Sequence, residues 1–144
     1  MKLRNYRLTL MLIIAILTPL GFATKFYHFA GKAWVNNYAG DILYPMFWFF
    51  CLLLIFPRFS PSAAAILVFL FSSLVEFTQL FSTSLTQFMR SSFLGRVLVG
   101  SSFSLIDIFY YAVGAFAAWL INHLLHSFMF PSATTKPQRH GNTF

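Results

Sequence analysis

Apolar and polar residues are distributed along this chain in long blocks, not in short-period stripes. Apolar blocks at about residues 8–26, 41–56, 62–81 and 104–130 each approach the length of a bilayer crossing. A hydrocarbon core of about 30 Å takes about 20 helical residues at about 1.5 Å each. The pattern therefore predicts an all-α fold: a four-helix transmembrane bundle in a single domain over about residues 1–130. Pro57, Pro61 and Pro131 stand where the hydropathy changes, and proline starts or stops a helix because it lacks an N–H and crowds the preceding turn. Pro19 falls inside the first block, where a kink is expected and tolerated.

The connections differ in kind. Residues 27–40 read as a polar loop, and residues 58–61 as a tight turn that makes helices two and three antiparallel neighbours. Residues 82–103 are long for a connection, yet carry Phe88, Met89, Phe93, Leu94, Val97, Leu98 and Val99. So apolar a segment is expected to lie in the interface as a short helix or to re-enter the bundle between helices three and four. Residues 131–144 read as a disordered polar tail. At the other end, Lys2, Arg4 and Arg7, an apolar run and Gly21-Phe22-Ala23 resemble a secretory signal. The apolar run is longer than a usual signal core, which favours a retained first helix.

Composition sharpens the picture. Of 144 residues, 58% are apolar and only 9% charged, too few to cover a water-facing surface when soluble domains average about 25% charged. Disorder needs the opposite balance. Cys51 is the only cysteine, which excludes an internal disulfide. The net charge of +7 comes from basic residues scattered over termini and loops, so it points to membrane flanks and not to nucleic acid. Lys2, Arg4, Arg7, Arg58, Lys136 and Arg139 fall on one side; Lys25, Lys32, Arg90 and Arg96 fall on the other. The richer side is expected to be cytoplasmic, and it holds both termini.

The acids are Asp41, Glu76 and Asp107, and all fall toward the outer ends of their helices. Glu76 lies about 21 Å past the start of helix three at about 1.5 Å per residue. A charge inside a membrane helix costs at least about 2.5–3.5 kcal/mol and usually faces a partner or a wet cavity. Ser72, Ser73, Glu76, Gln79 and Thr83 make one polar stripe, and Asp107, Tyr111, Gly114 and Ala118 make another. Packing the stripes together pairs Glu76 or Asp107 with Arg96 or Arg90. The candidate polar cluster is Asp41, Glu76, Gln79, Arg96, Asp107 and Tyr111. Either it fixes helix packing or it lines a pocket, and Asp41 and Asp107 are also placed as ordinary helix N-caps.

The ordered set Glu76-x-x-Gln79, Arg96, Asp107-x-x-x-Tyr111-x-x-Gly114 resembles the VanZ-like membrane proteins, with Tyr111 where that family usually has Asn. It resembles more closely a bacterial membrane family, domain of unknown function 2809. The residues that carry this are Tyr38-x-Gly40-Asp41, Glu76-x-x-Gln79 and Arg96-x-x-x-Gly100-x-x-Phe103-x-x-x-Asp107-x-x-x-Tyr111-x-x-Gly114, over about residues 10–125. The resemblance implies a bacterial inner-membrane protein without an established activity. VanZ-like proteins are associated with glycopeptide resistance at the cell envelope, which implies an envelope amphiphile or glycopeptide-type ligand.

Other signals carry less. His123 and His126 have no Cys, Asp or Glu near them in sequence on that side, so they read as interfacial residues and no metal or other cofactor is expected. His28, Trp34, Asn36, Asn37 and Tyr38 are placed to rim the acidic cluster. No nucleophile–base arrangement or glycine-rich phosphate loop appears. The favoured function is an outward-facing pocket for an envelope lipid or amphiphile, without catalysis. The alternatives are a structural or assembly subunit, a small dimeric transporter using Glu76 for proton coupling, and an intramembrane enzyme with Glu76 and Asp107 as acid and base.

Overall fold

A computed structural model describes residues 2–78, 88, 91–92 and 105–130. Among these there is no strand. Helix α1 spans Lys2–Ala23 and passes into a 3-10 turn at Thr24–Phe26. Helix α2 spans Lys32–Ile55, α3 Pro61–Thr78 and α4 Leu105–Met129. α1, α2 and α4 are long and apolar enough to cross a membrane, and α3 is a shorter apolar helix. "Upper" below means the end where α2 and α4 begin, and "lower" the end where α1 and α3 begin.

The surface supports a membrane protein. Leu12, Phe109, Phe116 and Phe128 are exposed by 62, 63, 62 and 82%. Phenylalanines and leucines turned outward along whole helices leave too much apolar surface for water, and lipid covers it without cost. Inside, Tyr6, Leu10 and Leu17 of α1 meet Met46, Phe49, Phe50 and Leu53 of α2, with Ala64 and Val68 of α3 and Ala118 of α4 closing the core. α2 is the central helix and touches the other three.

The turn between α2 and α3 follows its prolines. Phe59 N–H donates to Phe56 O at 2.9 Å, Pro61 opens α3, and Ala64 N–H donates to Ser60 O at 2.9 Å. A proline in a first helical turn gives up an N–H that had no helical partner anyway. At the lower end Tyr6 Oη donates to Asn122 Oδ1 at 2.6 Å, with both residues buried. Arg7 donates to Leu54 O at 3.3 Å, and Trp119 Nε1 to Ser62 Oγ at 3.2 Å.

Two sequence expectations need correction. α1 starts at Lys2, well before residue 8, because nothing in its basic first turns breaks a helix and long basic side chains extend away from apolar surface. It also runs through Pro19 as one helix. The supposed loop 27–40 is largely helical. Gly31 holds a left-handed φ of 76°, then one α turn at Lys32–Trp34 and a π stretch at Val35–Ala39 lead directly into Gly40–Ile55. Asn36, Asn37 and Gly40 are weak helix formers, but packing of Trp34 and Tyr38 on α4 supports the turn. The expected interfacial or re-entrant segment and the polar tail lie outside the described residues, apart from exposed Phe88 and the turn in which Ser91 N–H donates to Phe88 O.

Candidate functional site

Small residues on α4 build the upper end. Gly114, Ala115 and Ala118 are buried, and Gly114 lies directly against the Ile42 carbonyl and the Pro45 ring. A side chain there would hold the helices apart, so glycine sets the α2–α4 distance. That close approach carries Tyr111, almost one turn earlier, into the interior. Its hydroxyl donates to Glu76 Oε2 at 3.1 Å across α3 and α4. Tyr111 is 7% exposed and Glu76 1%.

Asp41 reaches this region from α2. It is close enough to Asp107, Glu76 and Lys25 for their charges to act on it. Because the helical run begins at Lys32, Asp41 is no N-cap. The residue before the regular α segment is Ala39, which makes no side-chain cap bond. Asp107 sits in the first turn of α4, where the helix dipole favours an anion. The acids of α2, α3 and α4 thus gather at one end, as their depth along the helices predicts.

Some buried polar atoms there lack a partner. Among the described residues Asp41 Oδ2, Ser72 Oγ and Ser73 Oγ are buried without a hydrogen bond. Ser72 and Ser73 are buried on the face of α3 that carries Glu76, as the predicted stripe requires. Gln79 and Arg96, and with them the pairing of Glu76 or Asp107 to Arg96 or Arg90, lie outside the described residues.

Aromatic rings close over this end. Tyr38 stacks on Tyr110 with centroids 4.8 Å apart, and Trp34 meets Tyr110 edge-on at 6.0 Å. Trp34 Nε1 donates to the Tyr110 hydroxyl at 2.9 Å. Tyr44 tilts against Tyr111 at 6.3 Å. Lys25 Nζ donates to Asn36 O at 3.1 Å and lies beside Gly40. Trp34 and Tyr38 were placed in this rim by sequence, whereas Tyr44, Tyr110 and Lys25 were not. Tyr110 carried one usable signal, its position beside Tyr111 in the stripe of α4. His123 and His126 of the lower end stack on Trp119 and Phe130 at 5.6 and 4.5 Å.

The arrangement brings polar groups of three helices to one end of the molecule. It offers a phenol, carboxylates and hydroxyls, with aromatic faces around them. A family described as protein of unknown function DUF2809 has a model that matches residues 30–115, a segment that contains Asp41, Glu76, Asp107, Tyr111 and Gly114. No curated protein and no solved structure matches this chain.

Proposed function

This chain belongs to the domain of unknown function 2809 family, and we propose that it binds an envelope lipid or amphiphile in an outward-facing polar pocket, without catalysing a reaction. In this proposal it sits in a bacterial cytoplasmic membrane with both termini inside, as a four-helix bundle whose segment between α3 and α4 lies in or dips back from the interface. The pocket is lined by Asp41, Glu76, Gln79, Arg96, Asp107 and Tyr111. The supporting observation is the gathering of Asp41, Glu76 and Asp107 from separate helices with Asp41 Oδ2 buried and unpartnered. A chain that needed these groups for packing alone would satisfy each of them. The VanZ-like resemblance of Glu76, Asp107 and Gly114 favours an envelope ligand by analogy only.

One observation favours a purely structural cluster instead: the Tyr111–Glu76 hydrogen bond ties α3 to α4. Glu76→Gln separates the two. Glutamine keeps an acceptor for the Tyr111 hydroxyl and removes the charge. If the cluster binds a ligand, the variant in detergent stays within about 1 kcal/mol of wild type or becomes more stable, since binding groups are commonly kept at a cost to the fold. Native mass spectrometry then shows loss of a co-purifying amphiphile. A fall of about 3–5 kcal/mol, the usual result of breaking a buried charge pair, with bound lipid unchanged would establish the structural role instead.

A further inference from the structure

The lower end of the molecule carries positive charge that no acidic side chain of this chain neutralises. Arg4 and Arg7 stand about one turn apart on α1, and a guanidinium is always ionised. The acidic residues are Asp41, Glu76 and Asp107, and all three sit toward the upper end. Leu54 O, which accepts from Arg7, lies about 20 Å below Asp41 along α2 at about 1.5 Å per residue. No Asp or Glu precedes Asp41 or follows Asp107, so neither terminal segment supplies a carboxylate side chain. Arg7 uses one N–H on that carbonyl of the last turn of α2, a group without a helical partner. The bond holds the guanidinium in place and leaves its other N–H groups to donate elsewhere. Among the described residues Arg4 is exposed and has no hydrogen-bond or ion-pair partner.

Both arginines line a groove of about 470 Å³, together with Leu3, Leu8 and Met11. Arg4, Arg7, Leu8 and Met11 recur at three and four residues, so they form one stripe along α1. The cations lie below and the apolar side chains above: Met11 stands about 6 Å above Arg7 and about 10 Å above Arg4 at about 1.5 Å per residue. Leu8 and Met11 are exposed, and Leu12, Ile16 and Leu20 continue the outward apolar surface toward the upper end. The groove therefore opens on lipid, at the level where α1 passes from hydrocarbon into headgroups. A matching occupant carries a negative group and an alkyl chain in one molecule. The N–H fork of an arginine suits phosphate oxygens in particular, and a zwitterionic headgroup would bring a further cation to the pair. We propose that this groove holds an anionic phospholipid of the surrounding leaflet, with its phosphodiester at Arg4 and Arg7 and the start of an acyl chain along Leu8 and Met11. This site is separate from the upper polar pocket and does not depend on it.

The full chain in neutral detergent is titrated with phosphatidylglycerol, with phosphatidylcholine of the same acyl chains and with glycerol phosphate, and bound molecules are counted by native mass spectrometry. Phosphatidylglycerol should bind saturably, about tenfold or more tighter than phosphatidylcholine. Glycerol phosphate should compete poorly, because it lacks the chains that Leu8 and Met11 would cover. Arg4→Gln breaks no bond within the protein, so it folds, and it should weaken phosphatidylglycerol by about tenfold. Arg58→Gln removes an equal charge from the lower end but outside the groove, and should leave binding close to wild type. Equal weakening by Arg4→Gln and Arg58→Gln would mean attraction to the overall charge of this end, and overturns the site. Equal binding of the two lipids, or no saturable phosphatidylglycerol, overturns it as well. Glycerol phosphate that displaces the lipid at equal concentration would make the groove a site for free phosphates and overturns the lipid assignment. Phosphatidylglycerol lost in Glu76→Gln but kept in Arg4→Gln would put the lipid in the upper pocket instead, and overturns the lower site alone.

Discussion

Among the glycines of the described residues, Gly114 should be the one whose replacement by alanine overlaps its neighbours most. A Cβ at that position would lie 2.7 Å from Pro45 Cγ and 3.0 Å from the Ile42 carbonyl carbon, and closer still to the Ile42 oxygen. Carbon atoms pack best at about 3.5–4.0 Å. None of the opposing atoms belongs to a flexible side chain, so no rotamer change relieves the overlap and α2 and α4 must part by about 1 Å. A gap of that size forfeits about a quarter to a half of the dispersion energy of the atoms that lose contact. Overpacking of this kind costs about 1–3 kcal/mol, occasionally more, and a rigid backbone partner puts Gly114 at the upper end of that range. Alanine returns about 1 kcal/mol through helix propensity, which leaves a net loss of about 2 kcal/mol. Gly21→Ala is the control. It also lies in a helix but meets nothing within 4 Å, so it should be neutral or stabilising by up to about 1 kcal/mol. Both variants can be read by denaturant titration in mixed micelles followed by tryptophan fluorescence. If Gly114→Ala matched Gly21→Ala, the close approach of α2 and α4 at this position would be wrong.

Two further changes test the buried polar pairs. Tyr111→Phe removes the hydroxyl that donates to Glu76 and should destabilise by about 1 kcal/mol, within the range found for hydrogen bonds between membrane helices; no change in thermal midpoint would mean that the bond contributes nothing to packing. Tyr6→Phe and Asn122→Leu each break the 2.6 Å bond at the lower end, and a double-mutant cycle should give a coupling of about 1 kcal/mol, whereas additive effects would argue against a direct bond.

The helices were legible because block length and proline position speak directly to the backbone. Pro61 opens α3 as expected, and α4 ends within a residue of its expected end. The start of α2 was not legible. Asn36, Asn37 and Gly40 read as loop by propensity, and what holds them helical is the stacking of Tyr38 on Tyr110, two rings far apart in sequence. The same distance hid the bond between Tyr6 and Asn122. In the candidate site, residue counting at about 1.5 Å per residue sufficed to bring Asp41, Glu76 and Asp107 to one depth. It could not choose the partner of Glu76. Nor did it find the phenol: Gly114 lets α4 approach, and the Tyr111 hydroxyl donates to Glu76, a contact that charge alone does not suggest.

The two ends of the molecule handle buried polarity differently, and the difference bears on function. At the lower end a phenol and an amide meet at 2.6 Å, a short, buried bond that ties α1 to α4. At the upper end Tyr111 and Glu76 make a longer bond of 3.1 Å, and Asp41 Oδ2, Ser72 Oγ and Ser73 Oγ are left unsatisfied nearby. The phenol and the amide of the lower end are thus bonded directly to one another, whereas these three upper atoms have no hydrogen bond. Apolar residues in place of Ser72 and Ser73 would pack as well and cost less. Retaining orphaned hydroxyls beside a gathered set of carboxylates makes physical sense if a ligand supplies the missing bonds. If the chain binds an envelope amphiphile as proposed, the upper end with its unsatisfied atoms is where it should be sought.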